Sequence, residues 1–185
     1  MKHHFSITTR IGDRGTTRTL FGETLSKSAL RIEACGQVDE LVSALGLARA
    51  SAARSSRLDA QLQELQRRLF AFAAEISAGS AHAAELPQRL DARAVRALDK
   101  LRRQLEQTVE PMCDFIIPGE NLLGAQLDFA RTLARRCERS IVTLADQSEF
   151  RNRQALVWLN RLSDVLWLLA RQAEGHSRPL HERPA

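Results

Sequence analysis

The sequence predicts an all-α fold, a five-helix bundle with an ordered N-terminal loop. Apolar residues recur every three or four positions in five stretches, which is the spacing of a helix that buries one face. No stretch of useful length alternates apolar and polar residues as a strand does. With 185 residues, the chain has the length of one domain, 1–185, and can bury roughly 70% of its unfolded-state surface.

The first two helices are predicted over residues 29–54 and 57–78. The second has the clearer pattern, because its apolar residues alternate steps of four and three and form a seam that faces other helices. Those residues are Leu58, Leu62, Leu65, Leu69, Phe72 and Ile76.

Three further helices are predicted over residues 91–109, 121–147 and 152–174. Asp91 is a candidate N-cap for the first of these, and Pro111 ends it because proline cannot continue a helix. Gly175 suits the position just after the last helix. Residues 176–185 are expected to form a loose tail.

The composition excludes several classes of protein. The chain has 27 Lys and Arg against 22 Asp and Glu, a net charge of +5, and no apolar run near the ~20 residues of a membrane span. Its beginning lacks the apolar region of a signal peptide, so a cytoplasmic location with no membrane partner is expected. The three cysteines and five histidines show no metal-ligand spacing, so no metal bound by protein ligands is expected.

The excess positive charge raises the alternative of a nucleic-acid binder. Most of the excess lies on residues 1–27 rather than along a helix, and no recognition-helix motif is present, so no nucleic-acid partner is expected. Only three of the 27 basic residues are lysine. This arginine excess fits bidentate phosphate recognition as well as a coding bias of the source genome.

Residues 1–28 differ from the helices and carry the first candidate site. Gly12 and Gly15 let the backbone approach a ligand closely, and successive backbone amides with threonine hydroxyls can bind an anion. Arg10 and Lys27 can neutralise phosphate charge. The spacing is not that of a Walker A loop, and the alternative is a turn within a floppy arm.

Arginines on the fourth predicted helix form the second candidate site. Arg131, Arg135 and Arg139 are four residues apart and share one helix face. With Arg136 they place four guanidinium groups within nine residues, which repel one another unless an anion lies nearby. The alternative is a solvated face with local ion pairs, such as Arg135 with Glu138.

Three smaller features are candidates for binding or for packing. Asn160 and Asp164 lie one turn apart beside the apolar stripe of the last helix, where they either bind a ligand or satisfy neighbouring helices. Asp39 and Glu40 are either surface residues or partners of the arginine cluster across helices or subunits. The apolar loop 115–119 is either a packing plug or a wall for a flat apolar ligand.

In this order, the features resemble the PduO-type ATP:cob(I)alamin adenosyltransferases over nearly the whole chain. Each motif alone is weak, but five in the family's order are specific. The family patterns are T-x-x-G-D-x-G-x-T, G-x-V-D-E-L, F-I-L-P-G, A-R-T with R-R-A-E-R, and L-N-R-L-S-D. The matching segments here are 8–17, 36–41, 115–119, 130–139 and 159–164.

The resemblance implies a homotrimer of five-helix bundles with active sites at the subunit interfaces. It implies transfer of the 5′-deoxyadenosyl group of ATP to cob(I)alamin, with adenosylcobalamin and triphosphate as products. ATP and cobalamin would be the substrates, Mg²⁺ would accompany ATP, and a flavin-type reductase is a candidate partner. Because Co(I) itself attacks C5′, no protein nucleophile is needed. The alternative is a non-catalytic or weakly active ATP- or corrinoid-binding paralogue on the same fold.

The resemblance also assigns roles to residues, with 1–28 as the nucleotide-binding loop and 29–175 as the helical bundle. Catalytic roles fall to Arg135, Asp39 and Asn160. Corrinoid contacts fall to Phe115, Asp39 and Arg131, with Asp39 pairing with the arginine cluster across the interface. The ATP-binding residues would be Thr9, Arg10, Gly12, Asp13, Gly15, Thr16, Lys27, Arg135, Glu138, Arg139 and Asn160.

The chain departs from the family pattern at three positions. Glu120 stands where a second glycine usually follows P-G, and Asp128 stands where the L-H-x-A-R segment has histidine. Val42 stands where Asn or a small residue usually follows D-E-L. Glu120 and Asp128 are expected to bring negative charge to the corrinoid side of the site.

Overall fold

The computed structural model describes residues 8, 10, 12–111 and 114–181, and five helices account for most of them. The helices are α1 (Leu30–Ser51), α2 (Arg57–His82), α3 (Ala92–Glu106), α4 (Leu122–Asp146) and α5 (Arg153–Glu174). A short 3₁₀ turn, Ala83–Glu85, follows α2. The all-α, five-helix prediction is confirmed, and each helix ends within a few residues of its predicted bounds. No helix within the described ranges is long and apolar enough to cross a membrane.

Helices α1 and α2 pack antiparallel. Arg31 at the start of α1 donates to the carbonyl of Ile76 near the end of α2, while Arg49 at the other end of α1 pairs with Asp59 at 2.8 Å. The predicted seam of α2 is buried in the core, apart from Leu58, which is half-buried at its edge. The buried seam residues are Leu62, Leu65, Leu69, Phe72 and Ile76.

Helices α4 and α5 also pack antiparallel, and this pair carries five of the candidate site residues: Arg131, Arg135, Glu138, Arg139 and Asn160. Near one end of the pair, Asn160 bonds Glu138, and near the other end Arg171 pairs with Asp128. The indole of Trp158 is buried in the core on α5. Helix α3 lies against α5, with Asp99 3.3 Å from the Arg161 guanidinium. Residues on α4 and α5 therefore meet at matched levels along the pair.

Polar residues fix where the helices begin and end. Asp91 accepts a hydrogen bond from the Ala94 amide at 2.8 Å, which confirms it as the N-cap of α3. Asn152 caps α5 by accepting from the amides of Gln154 and Ala155. Gly175 follows α5 with φ +75°, a conformation that favours glycine, as predicted for this position.

Four short strands were not predicted. β1 (Thr16–Arg18) pairs with β2 (Thr24–Ser26) in an antiparallel hairpin, and β3 (Ile116–Ile117) pairs with β4 (Arg178–Pro179). Strands of two or three residues are too short to show an alternating pattern, so they cannot be predicted from periodicity. The expectation of a loose tail is wrong for residues 178–179, which form β4; residues 182–185 lie outside the described part of the chain.

Candidate active site

Residues 12–27 form a compact segment that contains the β1–β2 hairpin. The Gly15 amide donates to the Gly12 carbonyl at 3.2 Å, and the Lys27 amide donates to the Gly15 carbonyl at 2.9 Å. Thr16 begins β1 opposite Ser26, the last residue of β2. The loop therefore places four of the predicted ATP-binding residues together: Gly12, Gly15, Thr16 and Lys27.

The two glycines of this loop have different roles. Gly15 has φ +77°, which side-chain-bearing residues rarely adopt, and the space beside its Cα is open. At Gly12, an added Cβ would lie 2.8 Å from Lys27 Nζ, so the ammonium group rests against the glycine backbone. Arg10 and Asp13 are exposed next to them, while Thr9 lies outside the described residues. An anion bound here would meet a lysine cation and a tight turn of backbone.

Arg31 anchors this hairpin to the end of α2. Its guanidinium pairs with Glu23 of the hairpin at 2.7 Å and donates to the carbonyls of Ile76 at 3.3 Å and Ser77 at 2.5 Å. Gly79 makes room for it, since a Cβ there would lie 2.9 Å from Arg31 Cζ. No sequence pattern indicates this role of Arg31, because two of its three partners are backbone carbonyls of another helix.

The second group of candidate residues lies on α4 and α5. Asn160 Nδ2 donates to Glu138 Oε1 at 3.1 Å, and Asn160 Oδ1 accepts from Arg161 at 2.8 Å. Arg161 in turn pairs with Asp99 of α3. These bonds fix the orientation of the Asn160 amide, and they place Glu138, Arg139 and Asn160 at one level of the bundle.

Arg135 and Arg139 carry uncompensated positive charge. Both are exposed, and neither forms an ion pair with any carboxylate in the described part of the chain. A side-chain hydrogen bond also runs from Arg139 Nη1 to the Arg135 carbonyl at 3.2 Å. The alternative of an Arg135–Glu138 ion pair is not what the structure contains, because Glu138 accepts from Asn160 instead.

A carboxylate from α1 reaches the arginine cluster. Glu40 pairs with Arg136 within the same chain, which is one of the outcomes expected for the Asp39–Glu40 pair. Asp39 is exposed and forms no ion pair with a described residue. Its predicted pairing across a subunit interface stays a prediction.

The loop that carries Phe115 is exposed and held by the C-terminal segment. The Phe115 ring is 79% exposed. Its carbonyl accepts from the Leu180 amide at 2.7 Å, next to the β3–β4 pairing. Asp114 accepts from the amides of His181 at 3.0 Å and Phe115 at 2.7 Å. Backbone bonds, rather than core packing, therefore hold the loop in place.

The three departures from the family pattern have structural explanations. Asp128 is buried and pairs with Arg131 and Arg171. Glu120 is half-buried and lies 3.3 Å from Arg178 and 3.4 Å from His176. Both carboxylates are thus matched by basic groups, so the expected excess of negative charge is not present.

Val42, the third departure, belongs to the apolar core. Its backbone carbonyl accepts from Gln66 Nε2 at 2.9 Å, which ties α1 to α2. It faces away from solvent and forms part of the bundle interior rather than of an exposed binding surface.

The structure does not bring the two groups of site residues together within one chain. No hydrogen bond or ion pair joins residues 12–27 to α4 or α5, all of which the structure describes. An open cleft of about 570 Å³ between α3 and α5 contains Arg161 and Asp164 but none of the predicted ATP-binding residues. Within one copy of the chain, the described residues 12–27 and the α4–α5 group are therefore not linked by polar contacts.

The two described cysteines are poor nucleophiles. Burial raises the pKa of the Cys35 thiol to about 11 and that of the Cys137 thiol to about 12. Cys113 lies outside the described residues. Both described thiols therefore stay protonated near neutral pH.

Replacing Arg31 should loosen the hairpin. In Arg31→Met, the ion pair with Glu23 and two bonds to carbonyls are lost, and we expect about 2–4 kcal/mol less stability. Hydrogen exchange of the amides in residues 16–26 should rise at least tenfold. Arg49→Met is the matched control, since it loses an arginine ion pair at the opposite end of α1. Equal exchange of the hairpin in both variants would show that Arg31 does not anchor it.

Protonation of Asp114 should weaken the hydrogen bonds that its carboxylate accepts from the backbone amides of His181 and Phe115. The His181 amide, and to a lesser extent the Phe115 amide, lower the pKa of this carboxyl below its ordinary value of 3.8. Because the pKa is lowered in the folded protein, the charged carboxylate stabilises the fold at neutral pH. That stabilisation is lost as pH falls through the folded-state pKa. In NMR spectra, the His181 amide proton should shift upfield with a midpoint below 3.8. Asp114→Asn should abolish that transition; its persistence would contradict the assignment.

With this geometry established, comparisons with known proteins identify relatives over most of the chain. The Cobalamin adenosyltransferase family model matches residues 7–173. A corrinoid adenosyltransferase from Citrobacter freundii is 39% identical over 170 residues, covering 92% of this chain and 96% of the relative. A cobalamin adenosyltransferase from Cupriavidus metallidurans is 36% identical over 180 residues, covering 96% and 94%.

Some relatives are longer. The corrinoid adenosyltransferase PduO of Salmonella typhimurium is 41% identical over 167 residues, which is 90% of this chain and 49% of the relative. Among solved structures, a variant PduO-type ATP:corrinoid adenosyltransferase from Lactobacillus reuteri, complexed with cobalamin and ATP, has a TM-score of 0.86. It is 30% identical, and the match covers 96% of this chain and 100% of that one. The chain belongs to the cobalamin adenosyltransferase family.

Proposed function

We propose that this chain transfers the 5′-deoxyadenosyl group of ATP to cob(I)alamin, giving adenosylcobalamin and triphosphate. The observation that carries the proposal is the pair of guanidinium groups on α4 that lack a carboxylate partner, Arg135 and Arg139, beside the Glu138–Asn160 bond. They supply positive charge where a triphosphate would need it. The similarity to a neighbour complexed with cobalamin and ATP supports this choice of substrates.

In this reaction the electron pair of Co(I) forms the bond to C5′, and the C5′–oxygen bond breaks as triphosphate leaves with its electrons. The chain supplies no nucleophile, in keeping with the protonated state of Cys35 and Cys137. Its contribution is orientation, because cobalt and C5′ must meet in line, and stabilisation of the charge on the departing triphosphate. Arg135 is the residue that we assign to that charge, and Asn160 is assigned to orient the nucleotide.

The N-terminal loop is assigned to the phosphates. Lys27 lies over the Gly12 backbone and forms no ion pair with a described residue, so its charge is free for a ligand. Asp13 and Gly15 complete the turn, and Thr16 offers a hydroxyl beside it. The positive φ of Gly15 allows the backbone to present amides to an anion.

The corrinoid is assigned to the other end of α4. Arg131 lies eight residues from Arg139, about 12 Å along the helix at 1.5 Å per residue. The exposed rings of Phe115 and Phe129 and the exposed Leu180 side chain offer apolar surface near that end. Such a surface suits a flat macrocycle. Phe115 would keep an axial ligand of cobalt away from the lower face of the corrin ring.

A homotrimer with sites between subunits would complete the active site. Residues 12–27 do not contact α4 or α5 of their own chain through hydrogen bonds or ion pairs. In a ring of identical subunits, the loop of one copy can face α4 of the next. Asp39 is exposed and lacks an ion-pair partner among the described residues, so it is available for an arginine of a neighbouring copy.

Two further participants are proposed. The described residues contain no cluster of three or more His, Cys, Asp or Glu side chains that could hold a metal ion. Magnesium would therefore arrive with ATP, held mainly by phosphate oxygens and water, as this ion prefers. Cob(I)alamin requires a one-electron reductant for Co(II), which a flavin-type reductase can supply.

The reaction can be tested with purified protein, ATP, Mg²⁺ and chemically reduced cob(I)alamin under anaerobic conditions. We expect the absorption spectrum of an alkylcobalamin to appear with turnover, and triphosphate to accumulate in equal amount. Calorimetry with ATP is run in parallel. ATP binding without conversion would instead support the alternative of a non-catalytic binding paralogue.

Arg135→Ala and Asn160→Ala should act on different parameters. Loss of Arg135 removes charge stabilisation of the leaving group, and we expect kcat to fall about 10²–10³-fold. Loss of Asn160 removes the amide that bonds Glu138, and we expect a higher KM for ATP as well as a lower kcat. Arg96→Ala, which removes an exposed arginine of α3, should retain full activity. Full activity of Arg135→Ala would refute the role assigned to that arginine.

A further inference from the structure

Four charged side chains form a largely buried chain of ion pairs between α4 and the end of α5. Arg131 Nε lies 2.9 Å from Asp128 Oδ1. The other oxygen of Asp128 pairs with Arg171, whose Nη2 lies 3.1 Å from Glu174 Oε2. The side chains of Asp128, Arg171 and Glu174 are 6%, 1% and 0% exposed. These four residues, called the Asp128 network below, balance two negative charges with two positive ones.

The Asp128 network bonds the two backbone segments around Phe115. The Gly119 amide, at the end of the loop, donates to Glu174 Oε1 at 3.3 Å. The Ser177 hydroxyl, just before β4, donates to Glu174 Oε2 at 3.0 Å. Helix α4 closes on the same side chain, since a Cβ at Gly124 would lie 2.5 Å from Glu174 Cγ. The carboxylate therefore has no room to move away from its partners.

A buried ion pair seldom stabilises a fold more than well-packed apolar residues would, so its presence favours a role in positioning. The ring of Phe115 is 79% exposed and is not held by core packing. Its location depends on the backbone bonds of its loop to Leu180 and, through Gly119, to Glu174. Arg131, at the other end of the network, is 26% exposed and faces solvent in part.

We propose that the Asp128 network is a positioning device that fixes the Phe115 loop and β4 relative to Arg131. It thereby sets the geometry of the corrinoid half of the site. The identity of the ligand rests on the proposed function, whereas the mechanical coupling concerns this chain alone. Asp128, Arg171 and Glu174 act through Phe115 and Arg131 and are positioning residues.

The aspartate at position 128 joins Arg131 to the rest of the network. The family pattern has histidine there, which could not bring a second full negative charge to Arg171. With Asp128, one carboxylate bridges the guanidinium groups of Arg131 and Arg171. The bridge ties the exposed arginine to the buried end of the network.

Hydrogen exchange tests the coupling without any substrate. In Asp128→Asn and Glu174→Gln, exchange of the amides in residues 114–121 and 175–181 should rise at least tenfold. Glu75→Gln is the matched control, because Glu75 is 1% exposed and also bonds an arginine, Arg89, and an amide group. Its partner Asn152 precedes α5, about 33 Å from Glu174 by helix length, so exchange near Phe115 should be unchanged.

Kinetics then test the consequence for the ligand. In both network variants the KM for cob(I)alamin should rise about tenfold while the KM for ATP stays within twofold of the wild type. A purely structural role would lower the apparent kcat through loss of folded protein and would leave the KM values for ATP and cob(I)alamin unchanged. A rise in exchange with an unchanged KM for cob(I)alamin would overturn the link to the corrinoid side.

The outcomes separate the coupling from the proposed function. If wild-type protein does not convert cob(I)alamin, the proposed function fails, yet the exchange data still decide the coupling. Unchanged exchange in both network variants would overturn the coupling whatever the activity. Should either variant fail to fold, Ser177→Ala removes a single bond to Glu174 and should raise exchange of residues 175–181 about threefold; no rise would count against the proposal.

Discussion

The antiparallel packing of α4 on α5 is the constraint on which the candidate site depends. Because the two helices run in opposite directions, residues late in α4 lie beside residues early in α5, and residues early in α4 lie beside residues late in α5. Asn160 therefore meets Glu138 near one end of the pair, and Arg171 meets Asp128 near the other. Rigid helices with a rise of 1.5 Å per residue keep those levels about 15 Å apart, and this distance would separate the proposed nucleotide end from the proposed corrinoid end.

Charged residues that stabilise the fold can be distinguished from those that are available to ligands, because the former have oppositely charged partners within the chain. Asp128 and Glu174 are buried and matched by arginine, as the cost of desolvating a lone charge demands. Arg135 and Arg139 are exposed and unmatched by any described carboxylate, and they remain charged without an internal partner. Like charges so close on one helix are unfavourable by themselves, and an anionic substrate removes that penalty. The proposed role of Arg135 and Arg139 in binding triphosphate accounts for this arrangement of charges.

The helices and the family could be predicted from the sequence, because helical periodicity and local motifs are properties of neighbouring residues. Asp91 is an example, since a cap is defined by its own helix. Arg31 could not be found this way, because two of its three partners are backbone carbonyls brought close by the packing of α1 on α2. The same holds for Asp128, which was expected to add net negative charge and instead meets Arg171, 43 residues away. The strand Arg178–Pro179 could not be predicted, because two residues are too few to show a periodic pattern.

A reaction without a protein nucleophile depends on placement more than on reactive groups. Cobalt and C5′ must approach in line, so small displacements of either substrate cost rate directly. The groups that would touch the substrates, such as Lys27 and Phe115, lie on a loop and an exposed segment that the core does not hold. Each is instead tied to the end of a helix by a charged residue, Arg31 at one end of the bundle and Glu174 at the other. Residues that never meet a substrate can therefore govern the rate, by fixing the two ends between which the substrates must align.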